Sequence, residues 1–393
     1  MFLPPLRLVC VSLLSVALTV SATPRLPSTD AQILERLPIR ATDPVARELR
    51  SLRAELTASP KNHVLADKLA RRYFDLAMAE GDPRYIGYAE AALRPWDSGS
   101  IPPTLRVIRA LLSQYKHNFD GALKDLAIAL EADPDSVEAH AWRAAIFMVQ
   151  ANYAEATTEC TALAPNASEL FATGCVAYVE ATTGKLQNAY VRLASALKRH
   201  PDATPNSKLW NLTRLADMAR RLGDPKTAEK HFRAALGLGI TDNFLLAAFG
   251  DFLIEQKRPA EAAALLKDWA RSDTLLLRLA LAERTLALPT AGARIQALEV
   301  RFAEAALRGE QLHLQEEARF RLYLKADPRG ALRLAIQNWK SQREPRDAAI
   351  LLEAALAARD RAAGQPVLDW LMQSGYEDPA LRSIANALRA AAG

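Results

Sequence analysis

Apolar residues recur along this chain at helical rather than strand spacing, most clearly between His117 and Pro134, HNFDGALKDLAIALEADP. Phe119, Ala122, Leu126 and Ala129 fall three or four residues apart, which puts their side chains on one face of a helix, and Pro134 stops it. Weaker copies of this pattern run along the chain. With Ala122 as anchor, equivalents stand at Ala89, Ala156, Ala189, Ala228 and Ala262, and the six are separated in order by 33, 34, 33, 39 and 34 residues. Four residues after the anchors come Leu93, Leu126, Cys160, Leu193, Phe232 and Leu266; seven after come Trp96, Ala129, Leu163, Ala196, Ala235 and Trp269. Twelve residues before them the side chain is always small: Ala77, Ala110, Ala144, Ala177, Ala216 and Gly250. A small residue there lets a preceding helix approach closely.

Between the two helices of each unit the sequence writes a turn: Gly81-Asp82-Pro83, His117-Asn118, Ala151-Asn152, Gly184-Lys185, Gly223-Asp224-Pro225 and Lys257-Arg258-Pro259. One such hairpin has two apolar faces and cannot bury both, so neighbours must stack. The pattern resembles the tetratricopeptide repeat family, over Ala66 to Trp269 above all. That resemblance implies an all-α fold, an alpha-alpha superhelix in which helical hairpins stack as a right-handed solenoid. An alanine-rich helical bundle is the alternative, and a registered period argues against it.

The spacing predicts a solenoid over 43–273 and degenerate repeats with a capping helix over 274–393. Asp43-Pro44 starts a helix to about Ala58 that caps the N-terminal side. The interval of 39 predicts a longer loop at His200 to Asn206. Beyond Ala262 the code fades and returns at Ala331 and Ala363, with an unsigned hairpin at about Thr274 to Arg308 divided by Pro289. Gln311 to Lys325, Pro328 to Lys340, Glu344 to Arg359, Asp360 to Gln373 and Asp378 to Ala391 read as helices, the last closing the stack.

Composition supports a folded helical chain: of 393 residues half are hydrophobic and 16 are Gly. The net charge of +5 is small for this length and the two signs are interspersed, so no nucleic-acid partner is expected. Residues 1–22 read as a bacterial-type export signal, with Arg7 before an apolar run from Leu8 to Val20 and small residues Val20-Ser21-Ala22 before the cut. The run is short for a membrane span, so the mature chain is expected to begin at Thr23, to lack a transmembrane segment and to reside in the periplasm; an uncleaved anchor is the alternative, and the signal alone does not separate periplasm from extracellular release. Residues 23–42, with three prolines, read as a flexible leader.

Candidate chemistry is sparse. Histidines at 63, 117, 140, 200, 231 and 313 include no pair three or four apart, and Glu316-Glu317 after His313 reads as a solvated face, so no metal is expected. With no phosphate loop or nucleophile elbow, neither cofactor nor catalysis is expected. Cys160 and Cys175 fall on helices that should pack together. They read either as a disulfide closing a short loop in an oxidising compartment or as two buried thiols.

The tetratricopeptide resemblance implies a concave groove lined by first helices, where family members bind peptides. Its inward positions are Tyr115, Met148, Phe171, Tyr178, Trp210, Asp217, Arg220, Phe244 and Asp251. Family members that grip the acidic tails of heat-shock chaperones use Lys and Asn on first helices. Here those positions hold Val107, Ala141, Gly174, Thr213 and Ala247, then Leu111, Ala145, Tyr178, Asp217 and Asp251, so that ligand does not carry over. The resulting expectation is an exported, non-catalytic scaffold for a protein or peptide partner, within an envelope-associated complex. The alternative is an accessory protein for cell-envelope or exopolysaccharide assembly or export that contacts glycan.

Overall fold

The computed structural model describes residues 43–97, 101–310 and 312–391, besides Thr29 and Gln32; the predicted signal at 1–22 and most of the leader at 23–42 lie outside the described residues. The described residues are helical throughout. After α1 (Pro44–Ala58) come the hairpins α2 (His63–Glu80) with α3 (Arg84–Leu93), α4 (Pro103–Tyr115) with α5 (Phe119–Ala132), and α6 (Val137–Val149) with α7 (Tyr153–Ala162). Next are α8 (Glu169–Thr182) with α9 (Leu186–Arg199), α10 (Pro205–Arg221) with α11 (Pro225–Leu236), and α12 (Asn243–Glu255) with α13 (Pro259–Leu266). Then follow α14 (Asp273–Thr285) with α15 (Ala291–Leu307), and α16 (Leu314–Tyr323) with α17 (Pro328–Trp339). The chain ends in α18 (Pro345–Ala358), a single 3-10 turn at Ala362–Gly364, α19 (Gln365–Ser374) and α20 (Pro379–Ala390). Helices on both sides of residue 273 belong to one compact unit, Ala41–Gly393.

Local chemistry sets the helix ends. Side chains of Asp43, Asn62, Asn118, Thr204, Asp224, Asp242 and Asp378 accept bonds from first-turn amides. Pro at the first helical position costs nothing there, because that N–H has no intrahelical partner. Turns within hairpins place one residue in the left-handed region: Gly81, His117, Ala151, Gly184, Gly223 and Lys257. Packing then follows the sequence code. Ala89, Ala122, Ala156, Ala189, Ala228, Ala262 and Ala331 all have 0% of their surface exposed, so any larger side chain would push two helices apart. Ala363 does not act as an anchor: it falls in the 3-10 turn, and Val367, at 0%, takes the buried place beside it.

The extra residues before Ala228 do not form the expected long loop. They lengthen α10, which has 17 residues against 13 or 14 in α4, α6, α8 and α12. Pro205, with Thr204 as cap, allows the helix to start early.

First helices of successive hairpins touch one another, which curves the stack into a superhelix tight enough that its turns meet. The Arg343 amide donates to the Val149 carbonyl at 2.7 Å, and the Leu186 amide donates to Glu377 Oε2 at 2.7 Å. The Trp370 indole donates to the Tyr153 hydroxyl at 2.8 Å, and the Gln342 amide stands 2.7 Å from Nδ1 of His117. Gly184 and Gly375, both with positive φ, lie back to back, where a methyl on Gly184 would come within 3.3 Å of the Gly375 carbonyl oxygen. The concave face is therefore narrowed to a half-open cavity. Its later turns close over its earlier ones.

Candidate functional site

Closure leaves a cavity of about 930 Å³ inside the coil, lined mainly by first helices from α8 to α18 and by α20. Its wall bears eight cationic and six acidic side chains, a small formal excess of positive charge. Most of these charges neutralise one another. Arg220 donates to Asp217 at 3.1 Å and to Asp378 at 2.8 Å, joining α10 to the cap of α20. Arg221 donates to the Glu377 carbonyl at 2.9 Å and to the Ala181 carbonyl, and its guanidinium lies 4.0 Å from the Tyr376 ring centroid. Asp251 accepts from Arg278 at 2.6 Å and from Arg319 at 2.9 Å.

Asp217 and Asp251 are ringed by protein yet remain 45% and 36% exposed, as groups facing an internal water space would be. Burial pushes the Asp251 carboxyl up, but Arg278 and Arg319 more than reverse this and hold it at about 2. Asp217 is likewise lowered, with burial outweighed by Arg220 and Arg221. Burial, then the Glu344 carboxylate, pushes the Tyr178 phenol up to about 12.

Arg214 differs from these. Its guanidinium lies 3.6 Å from the centroid of Trp210 and 4.4 Å from that of Tyr178, and Phe171 packs behind Trp210 at 5.6 Å. Among the described residues it forms no ion pair and donates no hydrogen bond. Burial lowers its pKa to about 10, and Tyr178, Glu344, Asp217 and Asp242 act on it only at a distance. Gly174 makes room for this cluster: a methyl there would sit 2.2 Å from Asn211 Oδ1 and 2.4 Å from the Trp210 ring.

Of the nine groove positions expected from sequence, Tyr178, Asp217, Arg220, Phe244 and Asp251 line the cavity. Trp210 and Phe171 stand behind Arg214 as its support. Met148 is buried in a core cluster with Cys160 and Cys175, and Tyr115 packs against the N-terminal core, with burial raising its phenol to about 12. These two do not reach the cavity wall. Cys160 and Cys175 are joined in a disulfide with Cα atoms 5.4 Å apart, tying α7 to α8. The register missed Arg214, Arg278, Arg319, Arg346 and Tyr376. Trp210 and Arg214 are four residues apart on one helix, which is the spacing of a stacked pair and the available signal for that residue. The others come from units where the repeat code has faded.

Among the described residues no helix is long and apolar enough to cross a membrane. The same residues contain no group of three His, Cys, Asp or Glu side chains able to hold a metal ion.

The architecture is a coil of stacked helical hairpins, and the fold is of tetratricopeptide type. The structure of the APC/C hetero-tetramer Cut9–Hcn1 is similar to 88% of this chain, which spans 66% of it, at 15% identity and a TM-score of 0.51. A tetratricopeptide repeat protein from Parabacteroides merdae is similar over 61% of this chain and 92% of its own, at 17% identity and a TM-score of 0.45. Yeast Tom70 is similar over 86% of this chain, which spans 61% of Tom70, at 15% identity and a TM-score of 0.40. No family model and no curated protein matches the chain.

Proposed function

We propose that the chain is an exported, non-catalytic repeat scaffold that binds a protein or peptide partner through the inner face of its coil, a segment of the partner entering the cavity. The observation that carries this reading is Phe244, which lines the cavity while keeping 50% of its surface exposed. A half-exposed Phe that shares the cavity wall with Tyr178 and charges of both signs has the composition of a binding hot spot, where an aromatic anchor supplies affinity and surrounding charge supplies selectivity. A volume of about 930 Å³ suits a ligand-sized segment rather than a folded domain. Rigidity favours the same reading, since a coil locked turn to turn spends little entropy on ordering itself around a guest.

The test is capture of partners from the source envelope by the purified chain. Replacing Tyr178 and Phe244 together by Ala should reduce capture at least tenfold with helical circular dichroism unchanged, and unaltered capture would refute the reading. The export component is checked on the same material, whose intact mass should begin at Thr23; retention of residues 1–22 in cytoplasmic protein would remove it.

A further inference from the structure

Arg214 is set apart from the other arginines of the cavity by what surrounds it. Arg220, Arg221, Arg278, Arg319 and Arg346 each pair with a carboxylate, and Arg284 donates to the carbonyls of Tyr323 and Leu324. Arg214 has Trp210 and Tyr178 against its guanidinium, and no hydrogen-bond or ion-pair partner among the described residues at its edge. Its Nε is buried without a partner, while the two terminal nitrogens keep access to the cavity. Stacking uses the face of a guanidinium and leaves its in-plane N–H fork available, which is the geometry that takes an oxyanion with two parallel bonds.

The energetics point the same way. Contact with two rings offsets only part of the cost of desolvating a cation, and burial lowers the pKa of Arg214 by more than the distant acidic groups around it restore. A purely structural side chain at this place would be expected to carry a partner, as its neighbours do. On the next first helix the wall turns apolar at Phe244, Ala247 and Ala248, and α20 adds Leu381 and Ile384.

We propose that the cavity holds a small amphiphilic organic anion, its oxyanion head bound edge-on by Arg214 and its apolar body lying against Phe244 and the aliphatic wall. This goes beyond the partner-binding reading: the ligand is a small molecule that competes with a partner segment for the Phe244 wall, and its head cannot be replaced by a neutral or cationic one without loss. Carboxylate and phosphate heads share the required chemistry, and the assay separates them.

Isothermal titration of the purified chain with decanoate, decyl phosphate, decanol and decyltrimethylammonium tests the proposal. At least one of the two anions should bind, one per chain, ten times or more tighter than decanol or the ammonium, and the tighter of the two identifies the head group. Arg214→Met should weaken that anion at least tenfold while the melting temperature holds or rises, because the variant removes an uncompensated charge; Arg214→Lys, which keeps the charge and loses the fork, should fall between. Absence of binding by both anions, equal binding of decanol, or wild-type anion affinity in Arg214→Met would each overturn it. Partner capture is a separate readout, so failure here leaves the scaffold reading standing.

Discussion

Single side chains carry opposite dependences on pH. Asp347, 1% exposed in the first turn of α18, accepts the Glu344 amide at 2.9 Å through Oδ2, while its Oδ1 has no partner. Burial first, and then the Glu344 carboxylate, raise its pKa well above the ordinary value of 3.8. A carboxyl raised on folding binds more protons in the folded state, so its contribution is complete below the unfolded value and is lost as pH rises towards the raised one. Asp251 works the other way: held at about 2, it stabilises above its ordinary 3.8 and loses that contribution as acid takes the pH through 2. Asp347→Asn keeps an acceptor for the cap and removes the charge. Its urea midpoint should match the parent near pH 4 and exceed it at pH 8 by about 1 kcal/mol or more in stability, the order of one pKa unit. A lower midpoint at pH 8 would contradict the assignment.

Elements were the most legible level of the sequence, because what they require is local. A helix pair can approach closely only where a small residue recurs at fixed offsets, and the anchors from Ala89 to Ala262 accordingly have no exposed surface. The hairpin at Thr274 to Arg308 was placed by counting periods, and it appears as α14 and α15. The interval of 39 marks extra residues without saying whether they fall in a loop or a helix, since a proline at a helix start and a proline in a loop read alike until the cap Thr204 is placed. The cysteines left two readings open for a physical reason: neighbouring helices bring them near, but only the orientation of the Cβ atoms decides whether they bond. With α7 and α8 bridged across 15 residues, reduction should cost about 3 kcal/mol and lower the melting temperature, and alkylation without reductant should label neither thiol. Two labelled thiols would show an unbridged pair.

At the scale of the molecule, closure depends on rotation accumulated over several repeats. The contacts that close the coil join residues 225, 217 and 191 positions apart, and no local pattern encodes them. That is why the inner face was legible as a set of positions from Tyr178 to Asp251, whereas its conversion from groove to cavity was not. Arg346, Tyr376 and Asp378 reach it from the later turn. The central claim is that binding occurs inside the coil and not on its outer helices. A photocrosslinking phenylalanine analogue placed separately at Phe244 and at Leu307 tests it most directly, since Leu307 is 71% exposed on α15, which contributes nothing to the cavity wall. Irradiation in the native envelope should give a partner adduct from position 244 and none from position 307. Adducts from 307 alone, or equally from both, would contradict the account.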